Sequence, residues 1–383
     1  VLAQGFSCGA RRDAPKQTAP KKTAVVNWPN GEMRSRDEDF PAGCGAQARM
    51  TRATIKDVSR VAGVSIKTVS RVLNKERYVS DDMRQKVEEA VARLNYHPSQ
   101  AARTLAGKRS FQIGLIHDNP SPYYIFNMQA GVGQRCREAD FRMIVQPCDI
   151  NSPGLVDDIG ALIDQAQLDG IIMTPPVTDV GTALAELFRR KIPVVRVQPG
   201  TDLTATSAVY IDNVQAADDM TAYLISLGHR RIGFVTGHGN YFASGQRLTG
   251  YRQALQRAGI GFDAALVFPG QFDFQSGTAA AEALLALDQP PTAIFASSDD
   301  MAAGVLAAAH RLGVSVPDQL SVAGFDDTDL AQVVWPSLTT IHQPIRDLGY
   351  AAADLLLEFG ETIERRQLPH KLVVRGSTAA PKG

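Results

Sequence analysis

The sequence predicts an all-α helix-turn-helix domain followed by an α/β core of two doubly wound subdomains, and three observations carry that prediction. Two short stretches with helical apolar spacing, joined by a tight turn, fill Thr54 to Leu73. From Phe111 onward, short apolar runs alternate with amphipathic or Ala-rich stretches of helical length. The alternation breaks midway at Val209 to Asn213 and resumes, and it contains more units than one doubly wound sheet of ordinary size holds.

In Thr54 to Leu73, Ile55, Val58, Val61 and Ala62 recur at helical spacing, and Val64, Val69, Val72 and Leu73 resume the pattern. Between them Gly63 can take a left-handed backbone, and Ser65 can accept from the first free amides of the next helix. Such a motif buries one face on a third helix and offers its second helix to the DNA major groove. A plain helical hairpin in a core would share the spacing. The outward positions Lys67, Thr68, Ser70 and Arg71 are all hydrogen-bonding, which favours DNA.

Asn74 to Val79 reads as a loop. Ser80 then caps a third helix with Asp81 and Asp82 in its first turn and Met83, Val87, Ala90, Val91 and Leu94 as its apolar stripe. It stops at Asn95-Tyr96-His97-Pro98. The stretch Pro98 to Ala106 favours helix in composition but is shorter than the roughly 12 residues an isolated helix needs. It reads as a hinge ordered only when something holds it, or as a linker. The domains expected are therefore an N-terminal extension over 1–49, the helix-turn-helix domain over 50–97, a hinge and linker over 98–110, and a two-lobed body over 111–383.

At 383 residues the chain suits two or three domains. Its net charge of zero conceals an asymmetry: Arg52 to Arg109 carries 13 Lys and Arg against 6 Asp and Glu, placing positive charge where phosphates would be neutralised. Cys8, Cys44, Cys136 and Cys148 form no CxxC pair, so free thiols are expected. No apolar run is long enough to cross a bilayer and no secretory signal is visible, so a cytoplasmic, nucleoid-associated protein without membrane contact is expected. Residues 1–49 lack apolar periodicity and read as disordered, being either a weak basic tail or sequence upstream of a start at Met50.

In the body, FQIGLIH, RMIVQPC, GIIMT, IPVVRV, RIGFVTG, ALVF, TAIFAS and LSVAGF read as buried strands of parallel sheets with helices on both faces. Ligands in such sheets sit beyond the carboxyl ends of strands. Enzyme motifs are missing from this body: it has no GxxxxGK[ST], no GxGxxG after a strand and no GxSxG. His117, His229, His238, His310 and His342 stand singly. No catalytic residue, metal site or cofactor is assigned.

The run Thr54-x-x-Asp57-Val58-x-x-x-Ala62-Gly63-Val64-Ser65-x-x-Thr68-Val69-Ser70-Arg71-Val72-Leu73-Asn74 is followed by Val79-Ser80, Leu94-Asn95-Tyr96-x-Pro98 and Ala102-Arg103-x-Leu105. Together these resemble the lactose-repressor (LacI/GalR-type) family of bacterial transcription regulators. The resemblance implies a periplasmic-binding-protein-like core. It also implies that Ile66 and Lys67 read base edges, with Thr54, Thr68, Ser70, Arg71, Asn74 and Tyr78 as further DNA contacts. Leu105, beside Ala102 and Arg103, would wedge into the minor groove of a palindromic double-stranded operator and kink its central step. In the body it implies an effector site of Tyr123, Tyr124, Tyr241, Ser244, Arg247, Phe272 and Asp299. Aromatic faces with an arginine and an aspartate suit a sugar or sugar derivative, and a nucleobase fits nearly as well. The resemblance implies a homodimeric repressor switched by that effector. No heptad tail follows the last strand, so dimers rather than tetramers are expected. A sugar-binding transport receptor is the alternative; it leaves Thr54 to Leu73 unexplained.

Overall fold

The computed structural model describes residues 53–73, 76, 78–96, 109–358, 360 and 362–382. The extension over 1–49, the hinge as far as residue 108, and Asn74, Ala102, Arg103 and Leu105 lie outside the described residues. The chain divides at Tyr96 into two compact units.

The first unit consists of α1 (Ile55–Ala62), α2 (Ile66–Leu73) and α3 (Asp81–Arg93). Thr54 starts α1 by donating its backbone N–H (2.9 Å) and its hydroxyl (2.7 Å) to the Asp57 carboxylate. Gly63 ends α1 at φ 66°, where any side chain would be strained. Ser65 Oγ accepts the Thr68 N–H at 3.1 Å and so starts α2. Val58, Val69, Val72, Val87, Ala90 and Tyr96 form the core.

Two residues of the expected apolar stripes depart from it. Val61 is 38% exposed because it lies about a quarter-turn around α1 from the Val58/Ala62 face. Met83 is 44% exposed because the buried part of α3 begins one turn later, at Val87.

The second unit has two lobes. The first holds β1 (Gln112–His117), α4 (Pro122–Glu138), β2 (Arg142–Pro147), α5 (Leu155–Ala166), β3 (Gly170–Met173), α6 (Gly181–Arg189), β4 (Val194–Val197) and β5 (Ser207–Tyr210). The second holds α7 (Asn213–Ser226), β6 (Ile232–Val235), α8 (Phe242–Arg257), β7 (Val267–Phe268), α9 (Phe274–Leu285), β8 (Ala293–Ala296), α10 (Asp299–Arg311), β9 (Ser321–Asp326), α11 (Asp329–Val333) and β10 (Thr339–His342). The chain then returns to the first lobe with α12 (Ile345–Leu357), which packs on α4, and β11 (Arg365–Gln367), and ends in the second with β12 (Lys371–Val373). The sheet orders are β11-β5-β4-β3-β1-β2 and β12-β10-β9-β8-β6-β7. Every neighbouring pair is parallel except β10 with β12.

The apolar runs become strands, except that ALVF is mostly a 3-10 turn, Ala264–Leu266, feeding a two-residue β7. The break at Val209 to Asn213 is the first of three crossings between lobes, and Gln343-Pro344 is the second. Cys136 and Cys148 are free thiols; burial raises the pKa of both. Among the described residues, no helix is long and apolar enough to cross a membrane.

The lobes depend on close helix crossings. A β-carbon on Gly250 of α8 would lie 2.1 Å from the Val214 carbonyl oxygen and 2.8 Å from the Asp218 nitrogen, both on α7. Gly250→Ala is therefore expected to force α7 and α8 apart and to lower stability by about 1–3 kcal/mol in urea unfolding. Wild-type stability in that variant would show that the crossing has slack.

Candidate functional site

The first unit presents one polar face. Val69 and Val72 turn inward from α2, while Ser65, Ile66, Lys67 and Arg71 are exposed and Thr68 and Ser70 half-exposed. Helix α2 contains no acidic residue. Arg71 reaches Glu76 at 3.4 Å, an exposed and therefore weak ion pair that leaves the guanidinium available. Ile66 (44% exposed) and Tyr78 (93%) stand out from this face as large apolar groups in water, which fits a surface covered in use. Thr54 is exposed at the start of α1, with its hydroxyl turned to Asp57.

The second unit carries a cleft of about 450 Å³. Every residue on its wall follows or ends a strand at the carboxyl edge of a sheet. Asn119, Ser121 and Tyr124 follow β1, Pro175 follows β3 and Gln198 follows β4. From the second lobe come Tyr241, Ala243 and Arg247 after β6, Phe272 after β7, Ser298 after β8, Asp326 at the end of β9 and Gln343 after β10.

Arg247 is the centre of this wall. Its Nε donates to Asn213 Oδ1 at 3.0 Å and its Nη1 to the Ser297 carbonyl at 2.5 Å, and its Cζ lies 3.5 Å from the Phe325 ring centroid. Burial pushes the guanidinium pKa down, and the Asp326 carboxylate is the largest influence opposing it. Burial likewise holds the Asp326 pKa well above the usual carboxylate range, with Arg247 pulling the other way. A chain of amides joins the two: Gln343 Nε2 donates to Asp326 Oδ1 (3.3 Å), Gln198 Nε2 to Gln343 Oε1 (2.9 Å), and Asn213 Nδ2 to Gln198 Oε1 (3.3 Å). Gln198, Phe272 and Asp326 all hold positive φ, at 51°, 61° and 109°. Backbone strain of this kind, about 1–3 kcal/mol per residue, gathers where a site must hold a fixed shape.

Apart from the amide chain at the crossings, two hydrogen bonds close the lobes on each other. Ser121 Oγ donates to Asp300 Oδ2 and Tyr241 Oη to the Asp118 carbonyl, each at 2.7 Å.

Of the expected effector residues, the cleft brings together Tyr124, Tyr241, Arg247 and Phe272. Tyr123 stays half-buried on α4 and off the wall, and Ser244 spends its hydroxyl on the His238 carbonyl at 2.8 Å. Asp299 is corrected. Fully buried, its carboxylate accepts from Thr340 Oγ1 (2.6 Å), the Thr328 N–H (2.8 Å) and Thr328 Oγ1 (3.2 Å), clamping α10 to β10 and to the loop after β9. The wall carboxylate is Asp326. It, Gln198 and Gln343 were missed, although each lies at or just after a strand end, where the rule about carboxyl edges directs the search.

Burial raises the Asp299 pKa to about 7 against those three hydrogen bonds. Between pH 3.8 and about 7 the unfolded chain gives up this proton while the folded protein keeps it, so stability falls as pH rises through that window and levels off above it. Asp299→Asn is expected to flatten this limb by about one proton in the slope of unfolding free energy against pH. An unchanged slope would assign the ionisation to another group.

The description "Bacterial regulatory proteins, lacI family" matches residues 54–99, and "Periplasmic binding protein-like domain" matches residues 221–378. The transcriptional repressor PurR of Photobacterium profundum is 35% identical over 331 residues, covering 85% of this chain and 98% of its own. The ribose operon repressor of Escherichia coli (strain K12) is 35% identical over 332 residues, covering 85% and 99%. The Lac repressor dimer bound to operator and the anti-inducer ONPF superposes with a TM-score of 0.73 at 29% identity, over 86% of this chain and all of that one. With these full-length relatives, a helix-turn-helix that exposes a basic reading face and a two-lobed core with a walled cleft, the chain belongs to the lacI family of bacterial regulatory proteins and is a DNA-binding transcriptional regulator.

Proposed function

We propose that the protein is a cytoplasmic repressor on the nucleoid, not an enzyme, that binds a palindromic operator as a homodimer and is switched by a sugar or sugar derivative in the interlobe cleft. The observation that carries this is the cleft wall itself. Its polar groups come from both lobes, Asn119, Ser121 and Gln198 from one and Arg247, Ser298 and Asp326 from the other, beside the aromatic Tyr124 and Phe272. A polyhydroxylated ring has hydroxyls around its whole perimeter to meet such a wall, whereas a nucleobase offers its polar atoms along fewer edges.

Closure of the lobes is one side of a two-state equilibrium, and an effector shifts it only by binding one state better than the other. Tyr241 and Ser121 belong to the wall and also make the two closing hydrogen bonds, so ligand contacts and closure share residues. On the DNA side, Lys67 offers a donor to guanine O6 or N7 and Ile66 an apolar contact to a thymine methyl. Thr54, Thr68, Ser70, Arg71 and Tyr78 supply backbone and flanking contacts, as do Asn74 and the hinge residues Ala102, Arg103 and Leu105. A second copy of the chain supplies the symmetric half. Trp335 (91% exposed) and its neighbour Val333 form an apolar patch on the second lobe suited to that contact.

Thermal-shift screening of the full chain against sugars and nucleobases tests the effector class. A sugar at 100 times its dissociation constant is expected to stabilise by about 2.7 kcal/mol, and stabilisation by a nucleobase with no sugar active overturns the reading. Lys67→Ala is expected to lose about 1–3 kcal/mol of base discrimination in each of two symmetric half-sites, measured by anisotropy titration of substituted operators. Loss in one half-site alone, or an equal loss on every sequence, contradicts base reading by a dimer.

A further inference from the structure

We propose that Gly200 is the stop that sets how far the two lobes close, and that the buried Arg196 is the positioning residue that keeps the stop rigid. This rests on the two-state closure proposed above and is independent of the effector's class.

Strands β4 and β5 are parallel neighbours joined by only the nine residues 198–206. Such a crossing ordinarily takes about a dozen residues or more, usually with a helix. A connection this short leaves carbonyls that no helix satisfies, and Arg196 supplies the donors from inside the lobe. Its side chain is fully buried. Nε donates to Thr206 Oγ1 at 2.9 Å, Nη1 to the carbonyls of Thr201 (2.9 Å) and Thr178 (3.4 Å), and Nη2 to the Asp202 carbonyl. Asp179, at the end of the 3-10 turn Val177–Asp179, holds the same loop from the other side. It accepts the N–H of Gly200 (2.9 Å), the N–H of Thr201 (3.0 Å) and the Thr201 hydroxyl (3.0 Å), and its carboxylate lies 3.8 Å from the guanidinium. Burial pushes the Arg196 pKa down, and Asp179 is the largest influence opposing it. A cation is costly to bury, and neither residue lines the cleft. What this clasp provides is a loop of fixed shape.

Gly200 sits on that loop, two residues beyond Gln198 of the cleft wall, and meets Phe242 of the other lobe, which opens α8 beside the wall residue Ala243. Its φ is not positive, so its own backbone does not call for glycine. The opposite lobe does. A β-carbon on Gly200 would lie 2.0 Å from Phe242 Cγ, 2.3 Å from its Cβ and 2.6 Å from its Cδ1. Turning the ring cannot relieve this, because Phe242 Cβ is fixed to the backbone of α8. Arg196 and Asp179 keep the loop from yielding, so the lobes have to part. Restoring ordinary carbon contact, roughly 3.5–4.0 Å, takes a retreat of about 1.5 Å or more. That retreat carries the 2.7 Å Ser121–Asp300 and Tyr241–Asp118 bonds out of hydrogen-bonding range. Hydrogen bonds draw the lobes together, and the bare backbone of Gly200 against Phe242 decides where they stop.

The test uses the full chain without effector, with nitroxides on Asn151→Cys and Asn240→Cys. Both positions are exposed and face each other from opposite lobes at the cleft mouth, so dipolar broadening, which falls with the cube of distance, reports the separation. Cys8→Ser and Cys44→Ser remove two other thiols; burial pushes the Cys136 and Cys148 pKa values up to about 11 and about 12, so these label slowly near neutral pH. Gly200→Ala and Gly200→Val are expected to weaken the broadening stepwise while melting like wild type. Adding Phe242→Ala to either is expected to restore it. Adding Asp179→Ala, or Arg196→Met where that variant folds, is expected to cancel the effect of Gly200→Val by letting the loop give way. Unchanged broadening in Gly200→Val with wild-type melting overturns the stop alone. Unchanged broadening with lowered melting shows lobes that cannot part and overturns the two-state closure as well. A separation that survives Phe242→Ala overturns the contact, and one that survives Asp179→Ala overturns the positioning role of the clasp. No sugar enters the measurement, so the carbohydrate reading stands or falls separately.

Discussion

The buried guanidinium of Arg247 is the constraint around which the second unit is arranged. A cation removed from water must be compensated by hydrogen bonds and an opposing charge, or the fold bears a penalty of several kcal/mol. Asn213, Ser297, Phe325 and Asp326 supply that compensation. Two partners in the resulting network also mark where the chain changes lobes: Asn213 opens α7 just after the first crossing, and Gln343 lies on the second. The groups that face the cleft are therefore hydrogen-bonded to the strands about which the lobes turn. A ligand that redirects Asp326 or Gln343 alters the bonding of a crossing strand directly, without a long chain of intermediates.

The energy scale suits a switch. The Ser121–Asp300 and Tyr241–Asp118 bonds each contribute about 0.5–1.5 kcal/mol net, with the first at the higher end because a carboxylate accepts it. Two such bonds bias closure modestly. In the proposed switch, ligand hydroxyls that replace or add to them would decide which arrangement dominates, and a coupling of about 1–3 kcal/mol is typical of allosteric control.

Much of this architecture was legible because its determinants are local. Gly63 and Ser65 announced the turn between α1 and α2 through backbone conformation and a short-range cap, and the strand-to-helix rhythm announced two parallel sheets. The first crossing was legible as a break in that rhythm. Strands β5, β10 and β11 were not, because they span only three or four residues and begin with Ser207, Thr339 and Arg365 rather than with apolar side chains. The cleft was half legible. Asp299 and Asp326 are both aspartates beside the end of a strand, and no local pattern says which one faces the cleft. That depends on Thr328 and Thr340 enclosing Asp299, and on the φ of 109° that turns the chain at Asp326. Both are tertiary effects.

The same division between local and tertiary determinants governs the reading face. An isolated helix of eight residues is marginal in water, so α2 owes its order to Val69 and Val72 packed in a core of six buried residues among the described ones. The direction in which Lys67 points is therefore set by those valines and by Val58 and Val87 behind them. In the proposed DNA contact, Ile66 would add shape without hydrogen-bonding information, and Lys67 and Arg71 would be the donors left to carry most of the direct reading from this helix. A face with so few informative side chains discriminates weakly as a single copy. In the proposed dimer, doubling it across a symmetric operator, with the deformability of the central step read as energy, would be the physical route by which so small a domain reaches useful specificity.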